Sequence, residues 1–250
     1  MKSRKWREFS RLSGKCYMDM AGLEKARESW DQAYKALKEV LADERSRQSD
    51  YAPELYLLDE ITDYEYDVQG WLEDYLDDLD MREDKEKLIG VCDELIGMFR
   101  WEEDKPSDIK FLKASALGEL GRKKEAADFC KEWLMEEPDN LMAVTANVYA
   151  LLGIKDMEAA GKLIKEHIHE DTECGDENDI LFAAAVDYYK ITGNKKEANR
   201  LDKAREEYDK QVERFLMGFD EDGVDEFLWD DGYDDEDEDG MWDDDDLPFS

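Results

Sequence analysis

Apolar residues in this chain recur at intervals of three and four. Ala26, Trp30, Ala33, Leu37, Val40 and Leu41 form one stripe, and Leu201, Ala204, Tyr208, Val212 and Phe215 another, a spacing that gathers side chains on one face of an α-helix. Alternating β-branched patterns, which would mark strands, do not occur. Proline is confined to Pro53, Pro106, Pro138 and Pro248. Breaks at Ala21-Gly22, Ser49-Asp50, Lys105-Pro106-Ser107, Glu137-Pro138-Asp139-Asn140, Gly153 and Gly193 cut the periodic stretches into helix-length pieces. The pattern predicts an all-α domain over residues 1–218, with helical hairpins at roughly 5–44, 51–101, 107–138, 139–170 and 178–217. The hairpin at 51–101 is the irregular one, with Tyr64, Trp71, Tyr75 and Leu79 expected on one apolar face.

The string GRKKEA at residues 121–126 returns as GNKKEA at 193–198, 72 positions later. A unit that is stacked several times must restate its turn, and two units of about 36 residues fill this interval, close to the ~34 of a known helical repeat. Gly121 and Gly193 suit the tight turn, and Ala126 and Ala198 suit close helix packing. The lysines and glutamate between them read as an exposed first turn with no further duty. The N-terminal hairpin follows the same plan: Gly14-x2-Tyr17, then Ala26, Trp30 and Ala33.

On these residues the chain resembles tetratricopeptide-repeat proteins over residues 7–40 and 107 to about 210. The copy at 141–170 is looser, with Gly153 two positions early and Glu158-Ala159 one residue further from it. In the copy starting near Asp179, Asp202 and Arg205 stand where the family has an aromatic and a small residue, so the last helix reads as a terminal cap, polar on its outer side. The resemblance implies a right-handed α-solenoid of stacked antiparallel hairpins. It also implies a concave groove lined by the first helices, suited to a peptide or partner helix. The groove positions are Phe111, Ser115, Met142, Thr145, Tyr149, Ala183, Asp187 and Lys190. The two-lysine, two-asparagine clamp of chaperone-binding members is not seen there, which disfavours acidic chaperone tails as ligands.

Charge divides the chain. The formal net charge is −35, and residues 219–250 hold 17 of the 69 acids and none of the 34 bases. This segment is expected to be an acidic, disordered tail, with Phe219, Phe227, Trp229, Tyr233 and Trp242 spaced among the acids. The first 15 residues lean the other way, with Lys2, Arg4, Lys5, Arg7, Arg11 and Lys15 against Glu8 alone. They read either as a partner for the acidic tail or as one solvated helix face. The negative surface argues against direct nucleic-acid binding, no apolar run is long enough to span a bilayer, and a cytoplasmic location is expected. Cys16, Cys92, Cys130 and Cys174 lack paired spacing and read as core or surface thiols.

No nucleophile elbow, phosphate loop, dinucleotide fingerprint or HExxH motif occurs, so the chain is not read as an enzyme and no cofactor is assigned. His167, His169 and Cys174 are donor types that zinc accepts, but two histidines two apart on a helix point in different directions, and no metal is assigned. Asp235, Asp237, Asp239, Gly240 and Asp246 follow part of a calcium-loop pattern, as a run of acids does by chance. The end of the tail, Asp245, Asp246, Leu247, Pro248 and Phe249, resembles the acidic tip of bacterial single-stranded DNA-binding proteins, although Ser250 displaces the terminal carboxylate by one residue. Two functions are therefore expected: an interaction scaffold with a protein or peptide partner, or recruitment in DNA maintenance through the tail.

Overall fold

The computed structural model describes residues 4–217. Every regular element among them is a helix: α1 (Arg4–Met20), α2 (Glu28–Arg47), α3 (Leu57–Ile61), α4 (Val68–Met81), α5 (Lys85–Met98), α6 (Ser107–Glu119), α7 (Lys123–Glu136), α8 (Leu141–Gly153), α9 (Met157–His167), α10 (Asp179–Ile191) and α11 (Lys195–Leu216). The all-α expectation holds. Two compact units divide between Ile109 and Lys110, inside the first turn of α6. The tail positions Asp245 to Phe249 and the calcium-loop pattern at 235–246 lie outside the described residues.

In the first unit, α1 and α2 pair as an antiparallel hairpin. Lys5 Nζ reaches the Glu39 carbonyl at 3.1 Å at one end, and Tyr17 meets Trp30 edge-on at the other. The core is built from rings. Trp71 is fully buried against Phe9 at 5.2 Å, Tyr75 at 5.5 Å and Trp30 at 6.0 Å, and Tyr34 tilts onto Tyr75 at 5.2 Å. Offset and edge-on ring pairs add about 0.5–1.5 kcal/mol each beyond the area they bury. Trp71, Tyr75 and Leu79 share an apolar face as expected, but Tyr64 does not. It is 68% exposed, because α4 begins only at Val68 and Tyr64 sits in the preceding turn at φ 56°. Tyr66 instead stacks flat on Trp6 at 4.6 Å.

The irregular stretch before α4 is held by buried polar groups rather than by helix. Arg45 donates to the carbonyls of Ala52 at 2.8 Å, Met98 at 2.9 Å and Tyr51 at 3.2 Å. Backbone acceptors that leave regular structure must find donors when buried, and this guanidinium supplies three at once. Asp59, buried in α3, accepts from the backbone N–H groups of Val68 at 2.6 Å and Gln69 at 3.0 Å. It thereby caps the start of α4, where unpaired N–H groups and the helix dipole favour a carboxylate.

The second unit stacks its helices in chain order. α8 packs against α7, α9 and α10, and α10 packs in turn against α9 and α11. Consecutive helical hairpins stacked in this way follow the solenoid plan. The shared core is rich in small residues: Ala114, Ala143, Ala146, Ala150, Ala160, Ala184 and Ala185 are buried in it, together with Cys130, Trp133 and Phe182. Burial pushes the Cys130 thiol up to about 12 and that of Cys16, in the first unit, up to about 11, which leaves both as inert packing groups. The stripe on α11 fades along its length. Leu201 is buried, Ala204, Tyr208 and Val212 are half-buried, and Phe215 is 82% exposed.

One turn recurs throughout. Gly22, Gly121 and Gly193 lie at φ 69°, 71° and 77°, and Asp63, Glu83 and Lys155 take the same left-handed conformation at φ 56°, 59° and 63°. In each case the following residue donates back to the carbonyl five positions earlier, for example Arg122 to Leu117 at 2.9 Å, Asp156 to Leu151 at 2.9 Å and Asn194 to Tyr189 at 2.8 Å. This is the Schellman closure of a helix C-terminus. In the looser copy, Lys155 therefore occupies the turn position and Gly153 is the last residue of α8. The small residue buried at the start of α9 is Ala160, with Ala159 only half-buried. The residue after the turn also opens the next helix: Asn194 accepts from Glu197 N–H and Asp156 from Ala159 N–H. The glutamates of the repeated string have duties of their own, since Glu125 grips Arg122 at 2.6 Å and Glu197 grips Arg200 at 2.9 Å.

Candidate functional site

The expected groove positions fall on three first helices of the second unit, Phe111 and Ser115 on α6, Met142, Thr145 and Tyr149 on α8, and Ala183, Asp187 and Lys190 on α10. Within each helix they are three, four or seven apart and so share a face. Phe111 and Met142 are half-buried against the shared core. Thr145 is buried, and its hydroxyl donates to the Leu141 carbonyl at 2.8 Å. Ser115 donates to Glu119 at 3.2 Å. Ala183, Asp187 and Lys190 are half-buried.

The structure brings three of these positions, Tyr149, Asp187 and Lys190, into one cluster and adds two residues to it. The buried Tyr149 hydroxyl donates to Asp187 Oδ2 at 3.3 Å, joining α8 to α10. Lys190 Nζ lies 4.0 Å from Asp202 Oδ2, and Arg205 Nη1 lies 3.7 Å from Asp202 Oδ1. Asp202 and Arg205 are half-buried partners of this cluster, and the exposed side of α11 carries Lys203, Glu206, Glu207 and Lys210. The small-versus-aromatic comparison with the repeat family could not show this, because it is blind to which polar groups meet across helices.

Electrostatics in the cluster are balanced but strained. Burial raises the Asp187 carboxyl above its ordinary value of 3.8, and Asp202 adds to the rise, while the Tyr149 hydrogen bond and the charges of Lys190 and Arg205 oppose it. Burial, reinforced by Asp187, raises the Tyr149 phenol as well. Arg205 Nε is buried and has no hydrogen-bond partner. An orphaned donor of this kind costs about 1–3 kcal/mol, so a cluster that leaves one is short of an acceptor.

A second concavity was not legible in advance. An open pocket of about 490 Å³ is lined by Glu158, Gly161, Lys162, Lys165 and Glu166 of α9 and by Tyr188 of α10. A side-chain carbon on Gly161 would lie 2.1 Å from the Tyr188 hydroxyl, so the ring rests directly on the α9 backbone. A glycine in a helix interior is the one signal that marked this contact, since its backbone entropy is a cost without a packing reason. The histidines do not form a centre with Cys174: His167 Nδ1 lies 3.0 Å from the Leu163 carbonyl, His169 is exposed, and no group of three His, Cys, Asp or Glu suited to a metal occurs among the described residues. Among the same residues no helix is long and apolar enough to cross a membrane.

No protein-family model, curated protein or solved structure matches this chain.

Proposed function

We propose that the chain is a protein-interaction scaffold of the tetratricopeptide-like kind, which holds a peptide or partner protein against the face of α6, α8 and α10. The observation that carries this reading is the cluster of Asp187, Lys190, Asp202 and Arg205, half-buried charges of both signs gathered on α10 and α11. The exposed parts of Lys190 and Arg205 would bind a partner's carbonyls or carboxylates, and stacked helical hairpins commonly present such a face to an extended chain. The cluster holds fixed charges of both signs, which suits orientation of a polar peptide more than capture of a purely acidic one.

The test is mass-spectrometric comparison of proteins co-purifying with the full chain and with its Arg205→Lys and Lys190→Glu variants. Arg205→Lys keeps the charge and removes the orphaned donor. Selective loss of the same partner from both variants, with helical circular dichroism unchanged, is the expected result. An identical partner set in all three preparations would refute the reading.

A further inference from the structure

In a chain with a net charge of −35, α1 carries a line of four cations. Arg4, Arg7, Arg11 and Lys15 are exposed and are spaced three, four and four apart, so they share one face of the helix. The buried residues of α1, Trp6, Phe9, Leu12, Ser13 and Cys16, occupy the opposite face. The line runs for roughly 17 Å at the α-helical rise. Its one intervening acid, Glu8, is gripped by Arg11 at 2.6 Å. That hydrogen bond holds the Glu8 carboxyl below its ordinary value, and the charges of Arg11, Arg4 and Lys15 lower it further. Beyond Lys15 the surface turns apolar, with Tyr17, Met18, Met20 and Leu23 all exposed.

We propose that this face of α1 is a docking surface for the chain's own C-terminal segment, residues 219–250. The segment is the chemical complement of the surface: 17 acids, no base, and Phe227, Trp229, Tyr233 and Trp242 spaced among them. Acids match the cationic line, and the rings match the exposed apolar end of α1. Its length exceeds that of the line several times over at ~3.3 Å per extended residue. A free polyanion must approach against the field of the whole chain, whereas a segment of the same chain needs no second molecule to reach the surface. Four exposed ion pairs give a contact that salt dissolves.

Zero-length carbodiimide cross-linking of the full chain at low ionic strength, read by mass spectrometry on a mixture of isotopically light and heavy protein, tests this. Lys5 and Asp43, 3.7 Å apart, provide the internal control for the chemistry and for an intact α1–α2 hairpin. We expect a Lys15 link to an acid within 219–250, formed within single copies and reduced at least tenfold at about 0.5 M salt, where the screening length is ~4 Å. The same loss is expected in an Arg4→Glu, Arg7→Glu, Arg11→Glu variant that retains the Lys5–Asp43 link. The proposal is overturned by a Lys5–Asp43 link without any Lys15 link to 219–250. A Lys15 link that persists in the variant, or that joins only light to heavy copies, overturns it equally.

Discussion

The two units solve the same packing problem with different residues. The first fills its core with rings, Trp6, Phe9, Trp30, Tyr34, Trp71 and Tyr75, and the second sets alanines, Ala143, Ala146, Ala150, Ala184 and Ala185 among them, between its larger side chains. The rings pack where the chain between α2 and α4 is irregular and tied down by Arg45 and Asp59. Alanine allows helix backbones to approach closely, and in the second unit it does so beside the same left-handed turn that closes helices of the first at Gly22, Asp63 and Glu83. The two units therefore differ in the size of the side chains at the core and not in the turn that closes their helices.

The largest expected effect is in the ring-built core. Trp71→Ala should cost about 3–5 kcal/mol, as deletion of a fully buried large aromatic does, read as a lower denaturation midpoint in urea. The small-residue core should fail in the opposite direction: Ala146→Leu, in the helix that packs on three others, should cost about 1–3 kcal/mol through overpacking. If Ala146→Leu were neutral, close backbone approach would not be what holds the second unit together.

The turns sharpen the comparison further. Gly193→Ala should destabilise by about 1 kcal/mol because an added Cβ is strained at φ 77°, whereas Lys155→Gly should be neutral to stabilising by up to ~1 kcal/mol at φ 63°. Thermal unfolding of the pair checks both signs. The smallest effect concerns Asp187, whose folded-state value lies above the ordinary 3.8. The folded state then binds the proton more tightly, so stability falls as pH rises from 3.8 through the folded value. Asp187→Asn keeps an acceptor for Tyr149 and removes this loss. Its stability relative to the parent chain should be higher at pH 7, and the gain should vanish below about pH 3.8.

Much of the architecture was legible because helix periodicity is local. The stripe on α2 follows side-chain spacing alone, and Gly121 and Gly193 marked turns because glycine adopts positive φ at no steric cost. Lys155, Glu83 and Asp63 could not be recognised in the same way. They carry a Cβ, adopt the same conformation, and are held there only by the helices on either side. Tyr64 shows the complementary failure, a residue in phase with an apolar stripe whose helix begins four positions later. The groove positions followed from the resemblance to the repeat family, which carried no information on their chemistry. Periodicity could not show that Tyr149 would reach Asp187, or that Asp202 and Arg205 would join them.

By itself the sequence determined the helical class, the small-residue and glycine signature of the repeated turn, the absence of any base from residues 219–250 and the local excess of base at the start of the chain. These depend on spacing along the chain and on composition. Only the tertiary structure decided which non-glycine residues would accept a left-handed turn, which aromatic rings would stack, and which charges would be buried beside one another. Each of those depends on groups far apart in the chain meeting across a helix interface, where burial raises the cost of every unpaired donor and every misplaced ring.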